Sequence, residues 1–523
     1  MKKLTIFASA LAMAFQFTSC DDFLDTVPDN RAEVDSAAKI TSILVSAYPQ
    51  SYPFVLWELG SDNVMDNGSI YDVESQSTED AYLWRQTSEN DTDTPQGVWD
   101  NCYIAAAAAN QALQAIEQLG GGKSLDPQKG EALICRAYAH FILASTFCVA
   151  YDPATADSEL GIPYATKPET EVSPHYTRGT LQETYENIAK DIEEGLPLID
   201  DNLYTVPKYH FNKKAAYAFA ARFYLNYIQE DRSNYEKVIE YADEVLGSNP
   251  RKVLRDYATD MGSLTNASNI GDAFISAKVT ANLLLQTVYS SWPYIYGPYS
   301  INMRYGQARE ICQNEILYAS GVWGENTVMS SLVWQPEQKM PFPKLAMYFE
   351  YTDKVNGIGY CHAVFPAFST NETLLCRAEA YVLQETPDYA SAVSDINDWI
   401  YSVSPKGQNE TVSESDIISY YSAIKKTPVP LINAKDRTVR KPLNPILPFV
   451  DQNQEYFIDC ILQARRNETV HEGLRWLDIR RFGIEVTHNR EGQAPDVLTV
   501  DDPRRAIQLP ADVINAGLEA NPR

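Results

Sequence analysis

Apolar positions recur three and four residues apart over much of the chain, the signature of amphipathic helices. Trp99, Tyr103, Ala106, Leu113 and Ile116 mark one such stripe, through an alanine run of high helix propensity that Gly120-Gly121-Gly122 ends. Asp126-Pro127 reads as the N-cap and first-turn proline of the next helix. That helix carries two stripes, Leu133/Ala137/Phe141/Ala144/Cys148 and Ile134/Tyr138/Ile142/Val149, which predicts burial nearly all round. Thr180 with Glu183 forms a capping box ahead of Leu181, Tyr185, Ile188 and Ile192. Asn212 caps a helix with Ala216, Phe219, Phe223 and Tyr227 on one face. Ser233 with Glu236 is a second capping box, opening a helix that Gly247 and Pro250 end. Ser369 to Ile400 repeats the plan, with Ser369 and Glu372 as capping box and Thr386-Pro387 opening the second helix. Two helices joined by a tight turn in about 35 residues resemble a tetratricopeptide unit.

Two stretches break this pattern, about 46–94 and about 250–368, both rich in Gly, Pro, Ser, Tyr and Trp. Loops of that length inside a compact protein usually carry function. The predicted fold is therefore mainly α: tetratricopeptide-like helix pairs over about 97–247 and 369–483, forming a scaffold with large irregular loop-rich insertions.

The N-terminus fixes the expected compartment. Met1-Lys2-Lys3 precedes a mostly apolar run from Leu4 to Phe17, of signal-peptide length and too short to span a bilayer. Phe17-Thr18-Ser19-Cys20 is similar to a bacterial lipobox. Residues 1–19 are thus expected to be a signal peptide, Cys20 the lipidated first residue, and 20–523 a single domain. Asp21-Asp22 look like the acidic signals that send some lipoproteins to the cell surface. No later window has the ~20 uncharged apolar residues of a membrane span, so the expectation is anchoring by lipid alone.

Charge and composition narrow the function. With 43 basic against 70 acidic residues, the 523-residue chain carries −27, which excludes a general nucleic-acid binder. The aromatic content leans to tyrosine, 33 against 18 Phe and 8 Trp, a residue that joins an apolar face to a polar tip. Seven cysteines follow Cys20 with no C-x-x-C spacing, so neither a zinc knuckle nor a complete disulfide framework is expected, and they read as buried thiols. The chain has no Gly-x-Ser-x-Gly elbow, no His-Glu-x-x-His and no phosphate-binding loop. It reads as a binding protein with no catalytic residues, metal or cofactor. His140 falls in a core helix and is expected to be structural; Cys361-His362 are adjacent, whereas a catalytic pair converges in space. Asp91-Thr92-Asp93 reads as a solvated acidic turn, since the glycine of a calcium loop is missing. Glu472, Arg475, Asp478 and Arg481 alternate in charge three residues apart, as an internal ion-pair network would.

One loop stands out. From Tyr289 to Tyr305, six of seventeen residues are aromatic and only Arg304 is charged. Sugars present polarised C–H faces that stack on such rings. Trp292, Tyr294 and Tyr296 alternate, so an extended segment would project all three to one side, and Gly297-Pro298 would keep Tyr299 nearby. Trp84 and Arg85 in the earlier insertion are a second candidate, with Trp323 and Trp334 behind them.

Taken together, these segments resemble the SusD/RagB family of Bacteroidetes outer-membrane nutrient-uptake lipoproteins. The resemblance is carried by Cys20-Asp21-Asp22-Phe23-Leu24-Asp25, Leu59-Gly60-Ser61-Asp62-Asn63, Arg136-Ala137-Tyr138, Gly161-Ile162-Pro163-Tyr164 and Thr177-Arg178-Gly179-Thr180. It continues through Cys376-Arg377-Ala378-Glu379-Ala380-Tyr381 and, most specifically, Arg465-Arg466 and Glu472 to Gly483, ending at Pro510 and Asn521-Pro522. Ala464 departs from the pattern, in the place where the family usually has Glu. The resemblance implies a lipoprotein exposed at the cell surface, lipid-anchored in the outer membrane. It implies binding of oligosaccharide or polysaccharide and delivery to a SusC-like TonB-dependent transporter. The RagB-like alternative is a peptide-binding import lipoprotein. It also suggests that the two insertions meet, so that Trp84 and Arg85 would face the aromatic loop.

Overall fold

The alanine-rich stripe forms the helix Pro95–Gln118, opened by the Thr94 hydroxyl on Gly97 N and closed before Gly120 and Gly121, both at positive φ. It packs along Asp126–Phe147, which packs in turn on Leu181–Gly195. Lys213–Asn226 and Asn234–Leu246 form the next pair, and the second of them lies against Thr370–Leu383, itself paired with Tyr389–Val403. Gln452–Glu468 packs across Thr370–Leu383, and the short helix Arg475–Arg481 follows it. Each helix buries a face on its neighbours, and the fold is mainly α. Asp126–Phe147 is buried nearly all round, as its two stripes require. This architecture comes from a computed structural model that describes residues 34–169, 175–296, 303–325, 327–333, 339–404 and 411–523. The expected signal peptide and Cys20 lie outside the described residues, as do Tyr299 and Trp334.

The Thr180 capping box and the Asn212 cap form as expected. Four other helix starts differ. Asp126 is the first helical residue, and the cap position falls on Leu125. Ser233 has helical dihedrals and its hydroxyl is drawn to Asp231, 2.7 Å away, so no capping box closes. Ser369 caps Glu372 N, but the Glu372 carboxylate pairs with Arg222 and does not return to Ser369. Thr386-Pro387 stop short of their helix, which Asp388 caps.

The stretches expected to be irregular hold short elements of their own. The first contains the helices Phe54–Leu59 and Gln76–Tyr82 and strand β1 (Met65–Asp66). The second contains β2 (Asn282–Tyr289), β3 (Tyr305–Gly306), β4 (Ala346–Asp353) and nearly all of β5 (Ile358–Ser369). A further hairpin, β6 (Val486–Arg490) and β7 (Gln493–Leu498), lies near the C-terminus. β2, β5 and β4 form an antiparallel sheet with β5 in the middle. The β4–β5 turn holds Asn356-Gly357, with Gly357 at φ +69. β5 runs into Thr370–Leu383 with no intervening residue: Ser369 ends the strand and caps the helix.

The two insertions meet. β1 pairs with β3, Arg304 holds Asp66 through two 2.7 Å hydrogen bonds, and Tyr289 N donates to Gln50 O. Rings from three parts of the chain stack in one column, Trp84 on His488 at 4.2 Å, His488 on Tyr82 at 4.1 Å, and Tyr82 on Tyr305 at 4.3 Å. Arg504 covers Trp84 at one end and Arg304 covers Tyr305 at the other.

Candidate functional site

Successive side chains of a strand point to opposite faces, which sorts the β2–β5–β4 sheet into a core side and a solvent side. Val288, Ala363 and Phe365 face inward, where Phe365 packs on Tyr52 and Phe54 with centroids 4.8 and 4.7 Å away. Tyr289, Tyr348, Glu350, Tyr360 and His362 share the outer face, aligned by the registers Tyr289↔His362, Tyr348↔His362 and Glu350↔Tyr360. Tyr289 meets Tyr360 at 5.7 Å and His362 at 4.5 Å. Tyr348 and Tyr360 are 47% and 58% exposed, and the Tyr348 hydroxyl donates to Asp272 at 2.7 Å. The Glu350 carboxylate lies 2.8 Å from His362 Nε2, at an angle that makes no hydrogen bond. On the opposite side of the projecting hairpin, Phe349 and Tyr351 are also exposed and meet edge to face at 4.9 Å. Exposed aromatic clusters of this kind mark binding surfaces.

The aromatic loop is built differently from the expectation. Trp292 to Tyr296 is one helical turn, so Trp292 and Tyr294 do not project together. Trp292 is fully buried, lies parallel to Phe54 and donates its indole N–H to His471 O at 2.8 Å. It has no face to offer a ligand. Tyr294, 39% exposed, looks outward from a turn that packs beside β4, next to the tyrosine sheet. The side chain of Tyr296 and all of Tyr299 lie outside the described residues.

Trp84 is likewise a packing residue. It sits at φ +51, a conformation costly for a bulky side chain, and is held there by the ring column and by its indole N–H on Gly60 O at 2.9 Å. Arg85 beside it is exposed. The two line a shallow cleft open to solvent, whose walls also include Arg504, Gln508 and Arg523. Among the described residues, the aromatic loop contributes nothing to that lining. Trp323 is buried against Trp399 at 5.0 Å.

The remaining candidates are mostly structural. His140 is buried between Arg136 O and Ala165 N, and burial lowers its pKa to about 4. Cys361 and His362 point to opposite faces of β5. Six of the seven described cysteines are buried free thiols, and Cys361 is half-buried. The Asp91–Asp93 turn departs from a solvated one. Asp93 turns its carboxyl onto Ser290 Oγ at 2.6 Å and Ser291 N at 2.9 Å, and burial raises its pKa to about 6. Among the described residues no group of three or more His, Cys, Asp and Glu converges as a metal site.

Residues 22–225 match the model of a SusD-like family described as starch-binding and associating with the outer membrane. The fold matches a SusD superfamily protein of Bacteroides thetaiotaomicron at 18% identity and TM-score 0.59, covering 94% of this chain and all of that one. A SusD superfamily protein of Bacteroides vulgatus matches at 18% and 0.61, covering 94% and 98%. A SusD-like carbohydrate-binding protein of the same species matches at 15% and 0.58, covering 89% of each chain. The chain is SusD-like in fold, and its residues 22–225 match the model of that family. No match was found among curated proteins.

Several of the described segments that carried the resemblance are internal pins of this SusD-like fold. Arg136 holds Asp191 with both ends of its fork, at 2.7 and 2.6 Å, and Asn110 at 2.8 Å. Arg178 ties the loop at Gly161 to Asn521. Arg377 bridges Asp395 and Asp243. Asp478, fully buried, receives Arg481 at 2.8 Å and Arg465 at 3.2 Å, while Arg475 reaches back to Asp62 and Glu472 pairs with Lys344. Burial pushes the Asp62 carboxyl up, but Arg466 and Arg475 overturn this and hold it well below its ordinary range. These residues pin the helical scaffold of this chain, and none of the partners named is on the exposed tyrosine face.

Proposed function

We propose that this protein captures carbohydrate at the outer membrane, on the outer face of the β2–β5–β4 sheet. The carrying observation is the exposure of Tyr348 and Tyr360, with half-buried Tyr289 and His362 beside them: an aromatic surface with polar groups at its edge. Ring faces take the C–H faces of a pyranose, while tyrosine hydroxyls and the nearby carboxylate bond its hydroxyls. Tyr294 borders the same surface and stays a candidate; Arg85, on its separate cleft, is a weaker one. The family description and the printed name of the B. vulgatus relative favour this ligand class. In this reading the protein is a lipoprotein held by Cys20, exposed at the surface, and hands oligosaccharide to a SusC-like TonB-dependent transporter. Among the described residues no helix is long and apolar enough to cross a membrane, which suits a lipid anchor. Peptide capture, the RagB-like alternative, has one observation in its favour: β4 is an edge strand, the kind of backbone an extended peptide adds to.

The test is a glycan array and a peptide library probed with the soluble form beginning after Cys20. Binding of oligosaccharides, lost on replacing Tyr360, supports the reading. Binding of peptides alone replaces it with the alternative.

A further inference from the structure

The tyrosine face has a charge as well as a shape. Its central polar group is Glu350, directly opposite Tyr360 in the register, with its side chain 69% exposed. Asp272 borders it through the Tyr348 hydroxyl, and Asp353 follows at the end of β4. The only Lys or Arg between Ala346 and Ser369 is Lys354, beyond Asp353 in the turn. Lys208, on the neighbouring segment, is tied to Val279 O. The surface thus combines ring faces with carboxylates, and its strands carry no described Lys or Arg to meet an anion; their one described basic group, His362, lies against Glu350.

A carboxylate is an acceptor with two oxygens and about four lone-pair sites, matched to neighbouring hydroxyls on a sugar ring. It repels a uronate or sulfate brought to the same place, and that repulsion is strongest where water is displaced by stacked rings. A like charge set against the wrong ligand is one way in which a site builds specificity. Glu350 is placed to do this: His362 Nε2 lies 2.8 Å from its Oε2, but the side chain is 69% exposed, which leaves the rest of the carboxylate open to a ligand.

We propose that Glu350 sets the ligand class of this face, selecting neutral glycans with adjacent free hydroxyls and rejecting uronic-acid and sulfated ones. This rests on the sheet face being the binding platform, and the experiment separates the two. An array holding neutral, N-acetylated, uronic-acid and sulfated oligosaccharides is probed with the wild type, Glu350→Gln, Glu350→Lys and Tyr360→Ala. The wild type is expected to bind a neutral glycan at least about tenfold more tightly than its uronic-acid counterpart. Glu350→Gln is expected to narrow that ratio to about threefold or less, and Glu350→Lys to invert it. Unchanged melting temperatures would show that the exposed substitutions act on the ligand and not on the fold. An unchanged ratio in both Glu350 variants, with binding still lost in Tyr360→Ala, overturns the role of Glu350 and leaves the platform standing. Wild-type binding by Tyr360→Ala overturns the platform and the proposal together, as does a wild type that favours the acidic glycan.

Discussion

Tyr289 and Tyr360 meet across two strands with ring centroids 5.7 Å apart and planes at 72°, on a sheet face that water reaches. Edge-to-face geometry leaves the Tyr360 ring 58% exposed while Tyr289 braces it. Tyr360→Ala is therefore expected to weaken glycan binding at least about tenfold, or 1.4 kcal/mol, with little change in melting temperature. Titration calorimetry beside a thermal melt checks both halves of that statement.

Trp292→Ala should behave in the opposite way. The indole is enclosed, and its loss removes the parallel contact with Phe54 and the hydrogen bond to His471 O. Truncating a buried aromatic costs about 3–5 kcal/mol. A large drop in the denaturation midpoint is expected; an unaltered midpoint would return this residue to the ligand-binding candidates.

Asp478→Ala leaves Arg465 and Arg481 without their shared carboxylate in the middle of the scaffold. Breaking a buried pair costs about 3–5 kcal/mol. The expected variant is destabilised on denaturant unfolding, yet the fraction that folds binds glycan as the wild type does.

Asp93 gives a pH signature. Burial raises its pKa in the folded state to about 6, against 3.8 as the ordinary value, so between those pH values the folded state holds more protons than the unfolded. Its contribution is complete below about pH 4 and is lost as pH rises through about 6. The wild type should lose on the order of 1–2 kcal/mol relative to Asp93→Asn across that interval, read from urea unfolding at several pH values. A difference that stays flat with pH would mean that the carboxyl is ionised in the fold throughout.

Cys20→Ala should release the protein from membranes into the soluble fraction of native cells lacking the transporter. Retention of the variant in washed membranes would contradict anchoring at that residue.

The helical scaffold was legible in the sequence because its signals are local. Periodic stripes, the Thr180 box and the Asn212 cap each act within about one turn of chain. The Asp478–Arg481 pair was legible too, because it lies three residues apart on one short segment, whereas Arg465, Asp62 and Lys344 join the network from elsewhere in the chain. The sheet was missed, although Asn356-Gly357 between alternating stretches is a strong hairpin signal. A composition rich in Tyr, Gly and Pro masked it. The exposed tyrosine cluster was hidden for another reason: Tyr289 joins Tyr348, Tyr360 and His362 only through strand register, which no single stretch of sequence reveals. Trp292 was misplaced because alternation of aromatic residues was read as an extended segment, whereas the chain closes into one helical turn. Trp84 was misplaced because His488, the ring it stacks on, comes from the far end of the chain.

The junction at Ser369, where β5 becomes the helix Thr370–Leu383 without a spare residue, has a mechanical meaning. A hinge requires a residue free to absorb rotation, and here the last strand residue is engaged as the helix cap. Beyond the junction, Glu372 and Arg377 bolt the helix to Arg222, Asp243 and Asp395. The sheet therefore behaves as a cantilever fixed at its root. On the proposed reading, a ligand held on the tyrosine face would therefore move with the helical body and not independently of it.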